Sequence, residues 1–241
     1  GRSSADIIAI GAMAGLIISI LDRTGLGQAL TLLLASVGED SIFLLLILTA
    51  LVSILLGMGM PTSAIYLLLA TMIAPSLVKL GIHPISAHMF VLYFGLMSMI
   101  TPPVAIAAFA AASLSGAKPM ETGVTAVRLG WIAYVVPFVF VLSPALLWQG
   151  SAFDIATGAI TAFIGVWFGS CGLIGYIFGP QSTFGRILLF VTGILLLLPG
   201  DAVPNGLLIN GVGLALGLAW VAKDYFANPK EKPAVETSAA E

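Results

Sequence analysis

Two short groups of residues interrupt an apolar stretch, residues 41–117, in which Lys79 is the one formal charge. The first is Gly57-Met58-Gly59-Met60-Pro61-Thr62-Ser63, and the second, about forty residues on, is Ser98-Met99-Ile100-Thr101-Pro102-Pro103. Their chemistry is that of bare peptide groups. Proline has no N–H and cannot bond the carbonyl four residues before it. Pro61 should therefore free the carbonyl of Gly57, and Pro102 and Pro103 those of Ser98 and Met99. Gly57 and Gly59 admit backbone angles closed to other residues. Proline suits a first helical turn, so a helix should restart at Pro61 with unpaired N–H groups at Thr62, Ser63 and Ala64. A second should restart after Pro103, with N–H groups at Val104 to Ile106. Each break then offers carbonyls to a cation and a helix N-terminus to an anion. The hydroxyls of Thr62, Ser63, Ser98 and Thr101 add neutral ligands, and no carboxylate lies in the stretch. Such a site suits a monovalent cation better than calcium or zinc.

The elements that must position these groups are membrane helices. Hydrophobic residues make up 59% of the chain and charged residues 8%, against about a quarter charged in a soluble domain. The expected class is an all-α integral membrane protein. There is no basic stripe for nucleic acid, and the lone Cys171 excludes an internal disulfide. Freed backbone groups are costly in lipid and are tolerated where protein or a water-filled cavity surrounds them. One such break reads as an ordinary kink between packed helices; two in a charge-free run point to a transport site.

In chain order, residues 5–21 are one crossing in length, with Gly11 and Gly15 as a small-xxx-small face. Asp22 and Arg23 end it, and residues 28–37 read as a partial helix. Glu39 and Asp40 precede a helical hairpin over about 41–78, short in both legs and therefore re-entrant, with its tip near mid-membrane. A broken helix over about 85–115 follows, in halves 85–100 and 104–115. His83 and His88 stand near its start without an obvious carboxylate partner, so a proton-relay role is a minor reading. Residues 129–148 form another crossing, with Trp131, Tyr134 and Trp148 as interface anchors. Further membrane helices fill 151–222 (155–178, then shorter runs at 187–199 and 206–222), and 223–241 is a polar, disordered tail. If the hairpin opens outward, Lys118, Arg128, Arg186, Lys223, Lys230 and Lys232 fall on the cytoplasmic side.

The segment running from GMGMPTSAIY through GIHPISAHMF to MSMITPPVAIAAFAAASLSGAKPMETG resembles the second half of the large membrane subunit of TRAP (tripartite ATP-independent periplasmic) transporters. The likeness covers about residues 1–150 and is nearest to the fused permeases that work with TAXI-type binding proteins. It implies an ion-transporter-superfamily half-repeat with elevator-type movement, in a bacterial or archaeal cytoplasmic (inner) membrane. It implies uptake of a small organic acid delivered by a periplasmic TAXI-type solute-binding protein. Other expected partners are an upstream N-terminal half or small membrane subunit, and membrane lipid. The coupling ion implied is Na+, with a proton as the alternative. Its ligands would be Gly57, Ser98, Thr101 and Val104. The substrate's anionic group would lie near Gly59, Thr62, Ser63, Pro102 and Pro103. The family often carries Gly where this chain has Ser98, whose side chain crowds the approach while its carbonyl remains. An ion channel or a non-transporting scaffold is the competing class. A scaffold needs no polar breaks, and a channel filter is more often repeated by symmetry. No HExxH, GxSxG or buried acid pair argues for an enzyme.

Overall fold

The computed structural model describes residues 41–200 and 205–227, with isolated positions between 12 and 36. The expected crossing over 5–21, the partial helix over 28–37 and the tail beyond 227 lie outside the described residues or meet them only at those isolated positions. The described residues are helical, with no strand among them. By length and composition, four stretches among the described residues can cross a membrane: Thr62–Lys79, Pro119–Leu142, Ala152–Ile174 and Gly206–Ala227. The chain divides into two compact units, Gly1–Ser151 and Ala152–Glu241.

In the first unit, α1 (Ile42–Gly57) is an apolar run whose N-cap, Ser41, accepts the Leu44 N–H at 3.3 Å. It stops where the chain turns extended at Met58 and left-handed at Gly59, φ +81°. The return leg is α2 (Thr62–Met72) followed by α3 (Ala74–Lys79), separated by one residue, Ile73, ahead of Pro75. Pro61 is the cap of α2 and not its first residue, a difference within the usual uncertainty of helix ends. Next come α4 (Pro84–Met97), α5 (Ile106–Ser115), α6 (Pro119–Leu129), α7 (Ile132–Leu142) and a 3-10 turn at Pro144–Leu147. Helix α4 is the hub, packed against α1, α2, α3 and α7. Phe90 and Phe94 of α4 meet Phe138 of α7 at centroid distances of 5.3 and 5.6 Å. The hydrophobic effect scarcely drives helices together in lipid, so close van der Waals contact must hold them. Glycines supply it: a methyl group on Gly95 would lie 2.6 Å from Ile65 and 2.7 Å from Leu69.

Three expectations are corrected here. The second break is wider than its prolines: α4 ends at Met97 and α5 begins at Ile106, whereas halves ending at 100 and restarting at 104 were expected. Residues 98–101 wind into tight turns, since a following proline disfavours the α conformation before it. The crossing expected over 129–148 is the shorter α7, and a separate helix, α6, precedes it from Pro119, with Glu121 and Arg128 in its first and last turns where each charge suits the helix dipole. Of the expected anchors, only Trp148 is exposed, at 80%; Trp131 is 9% exposed and Tyr134 points into the unit.

The second unit contains α8 (Ala152–Ile174), α9 (Thr183–Leu197) and α10 (Gly206–Ala227). Helices α8 and α9 touch backbone to backbone: a methyl on Gly193 would lie 2.6 Å from the Gly169 nitrogen, and one on Gly165 would lie 2.8 Å from the Gly193 carbonyl. Gly175, at φ +83°, stops α8 short of the expected residue 178. Residues 223–227, expected in the disordered tail, are the last turn of α10. There Asp224 accepts the Phe178 N–H at 3.0 Å and Lys223 lies 4.2 Å above the Trp220 ring.

Candidate functional site

The hairpin tip and the broken helix meet at Gly57. A methyl group built there would lie 2.6 Å from the Gly95 carbonyl oxygen and 2.9 Å from Ser98 Oγ. The end of α1 therefore rests on the end of α4 with no room for a side chain. On the other flank, Ile65 and Leu69 of α2 close over Gly95. The hairpin thus straddles the last turn of α4, and Tyr66 adds a 3.1 Å hydrogen bond to His88 Nδ1 near the start of that helix.

At the tip, the first hydrogen bond of α2 runs from the Ile65 N–H to the Pro61 carbonyl at 3.0 Å. The N–H groups of Thr62, Ser63 and Ala64 head the helix as expected, and Gly59, Thr62 and Ser63 are exposed. No hydrogen bond reaches the carbonyl of Gly57 or of Ser98 among the described residues. The Met99 carbonyl, expected to be free, accepts the Ala107 N–H at 3.0 Å. That bond folds the break back on itself and uses one N–H of the second helix start, which lies at Ile106 and not at Val104. Between them the Pro102–Pro103 peptide is cis, and Ala105, fully buried, holds the left-handed conformation at φ +35°. A non-glycine residue in that region stores about 1–3 kcal/mol, held in place by its surroundings.

The hydroxyls are more committed than the sequence suggested. Ser98 Oγ is buried and donates to the Gly95 carbonyl at 2.6 Å. Thr101 Oγ1 donates to the Met97 carbonyl at 2.5 Å and bonds the Tyr134 hydroxyl at 2.6 Å. Tyr134 belongs to a face of α6 and α7 that covers the break. A methyl on Gly123 would lie 3.0 Å from Pro102, and one on Gly130 would lie 3.1 Å from Ile100 Cδ1. Positions 123, 130 and 134 recur at helical spacing, so one stripe lines the break from end to end. Val104 is half-buried in the turn, Pro102 lies under Gly123, and Pro103 is exposed. The structure thus brings Gly57 and Ser98 into contact and ties Thr101 to Tyr134. No hydrogen bond joins Thr62 or Ser63 to the second break among the described residues.

Two buried groups escaped the sequence reading. Thr49 and Ser53 lie eight and four residues before Gly57 on one face of α1, fully buried, and their hydroxyls have no hydrogen-bond partner. Their spacing of four was the available signal. No group of three His, Cys, Asp or Glu is placed to hold a metal among the described residues. What the arrangement offers is peptide carbonyls and hydroxyl lone pairs at the contact of two helix ends, beside an exposed helix N-terminus.

Among known protein families, the model that matches is the Tripartite ATP-independent periplasmic transporter, DctM component, over residues 1–155. No curated protein and no solved structure matches the chain.

Proposed function

Because the chain belongs to the large membrane component of the tripartite ATP-independent periplasmic transporters, a family of membrane permeases, we propose that it couples the uptake of a small organic acid to sodium at the Gly57–Ser98 contact. The observation that carries this reading is that contact itself: two helix ends with unbonded carbonyls, at Gly57 and Ser98, meet where Gly57 has no side chain and faces the Gly95 carbonyl and the Ser98 hydroxyl. Unpaired carbonyls inside an apolar protein are costly, at about 1–3 kcal/mol each, unless something polar arrives to satisfy them. A monovalent cation does so without needing a carboxylate. The carbonyls of Gly57, Ser98 and Val104 and the Thr101 hydroxyl are its ligands. The substrate's carboxylate sits on the N–H groups of Thr62 and Ser63, beside Gly59, with Pro102 and Pro103 closing the far side. A periplasmic TAXI-type solute-binding protein delivers the acid. The hairpin and α4 move as one elevator-type body, since Gly57, Ile65 and Leu69 all close on the last turn of α4.

The test is uptake in proteoliposomes by the complete transporter with its binding protein. An inward sodium gradient should drive uptake. Thr101→Ala should weaken the apparent sodium affinity about tenfold, or about 1.4 kcal/mol. Uptake driven by a proton gradient alone would reassign the ion. Passive flux indifferent to any gradient would overturn the transporter mechanism in favour of a channel.

A further inference from the structure

The second unit gathers its three helix ends around an arginine that lies beyond the family match. Arg186 stands in the first turn of α9, a poor place for a cation. Its guanidinium leans instead over the end of α8, where Nε donates to the Gly172 carbonyl at 3.2 Å and Nη2 to the Leu173 carbonyl at 3.0 Å. A guanidinium has five N–H donors, so most of them remain to be used. No ion pair reaches Arg186 among the described residues. Asp224, the buried carboxylate at this end, accepts the Phe178 N–H.

A cavity of about 330 Å³ opens beside the guanidinium, walled by Gly172, Leu173, Thr183, Ile187 and Phe190. Thr183, Arg186, Ile187 and Phe190 follow one face of α9, so the polar groups stand at its mouth and the apolar wall runs on along the helix. The same end carries the exposed rings of Phe178, Phe184 and Tyr225 and the half-buried ring of Trp220. Phe178 meets Tyr225 at 5.2 Å, Phe184 meets Trp220 at 5.6 Å, and Lys223 caps Trp220. Aromatic side chains clustered with cations mark the level of lipid headgroups. Arg186 and Lys223 stand at this end, which by the positive-inside rule is the cytoplasmic one expected from the sequence, where anionic lipids gather.

We propose that this cavity binds an anionic phospholipid. The phosphate takes the free N–H groups of Arg186 and the Thr183 hydroxyl, and an acyl chain lies along Ile187 and Phe190. A soluble phosphate would gain nothing from the apolar wall, which is why the observations favour the lipid.

The test uses the intact protein in detergent, titrated with phosphatidylglycerol, phosphatidylcholine or inorganic phosphate. The readouts are thermal stability and lipid retention by native mass spectrometry. Phosphatidylglycerol should raise the melting temperature and be retained, while phosphatidylcholine and inorganic phosphate should do neither. Arg186→Gln should abolish the preference. Because Arg186 also caps α8, Ile187→Trp provides a second variant: it fills the exposed wall, leaves the cap intact, and should lose the lipid while keeping the lipid-free melting temperature. Equal response to both lipids, a shift reproduced by inorganic phosphate alone, or retention by Ile187→Trp equal to that of the parent would each overturn the proposal.

Discussion

A hydroxyl has one proton to give, and Thr101 gives its proton to the Met97 carbonyl. Tyr134 must therefore be the donor in the 2.6 Å bond between them, which leaves Thr101 one lone pair for a cation. Tyr134→Phe removes that donor. The expected loss of stability is about 1 kcal/mol, and apparent sodium affinity should fall with it because Thr101 is no longer held. If Tyr134 acts only through Thr101, the two substitutions will not add: Thr101→Ala with Tyr134→Phe should weaken sodium-driven uptake no more than Thr101→Ala alone. Additive losses would separate Tyr134 from the ion. The two glycines of the hairpin tip make a second contrast. Gly57→Ala drives a methyl against the Gly95 carbonyl, a backbone group that cannot turn aside, and against Ser98 Oγ. Overpacking of that kind costs about 1–3 kcal/mol, and uptake should be lost with the contact. Gly59→Ala meets nothing within 4 Å and suffers only from its positive φ. It should lower the melting temperature while leaving sodium affinity near that of the parent.

Helix α1 presents a different problem, because Thr49 and Ser53 bury hydroxyls with no partner on the face that ends at Gly57. A buried, unsatisfied hydroxyl is destabilising, and replacing it with an apolar group of the same shape is near neutral or stabilising. Thr49→Val and Ser53→Ala should therefore raise the melting temperature of the purified protein. A fall would show that water or an ion satisfies these groups in the membrane. The hairpin was legible in the sequence because glycine and proline act on their own backbone: Gly57, Gly59 and Pro61 specify a turn whatever surrounds them. The width of the second break was not legible. It depends on the Ala107-to-Met99 bond and on Ala105 being held left-handed, and alanine carries no local signal for either. The covering stripe at Gly123, Gly130 and Tyr134 was equally hidden. Its spacing has meaning only once the element it faces is known, and a tyrosine near a membrane surface reads as an anchor by type. Ser98 and Thr101 stood out in the sequence as candidate ligands, but their commitment to the Gly95 and Met97 carbonyls could be seen only in three dimensions.

At the scale of the molecule, the division between Ser151 and Ala152 nearly coincides with the end of the family match at residue 155. Both carbonyl-bearing breaks and the stripe that covers them lie before that boundary; Arg186 and its cavity lie after it. The segment joining the units is exposed at Trp148, Gly150 and Ser151, and Gly150 sits at φ +125°, a conformation that other residues rarely adopt. A protease recognition sequence inserted after Gly150 should therefore be accepted and cut in the folded protein, since exposed loop residues are the preferred sites of both insertion and nicking. If the transport chemistry is confined to the first unit, cutting should leave the sodium affinity of the assembled transporter unchanged. Any change should appear instead in its stability or in its response to anionic lipid. A cut protein that keeps both fragments in the membrane yet needs about tenfold more sodium, a difference of about 1.4 kcal/mol, would show that the second unit helps to hold the ion site in shape.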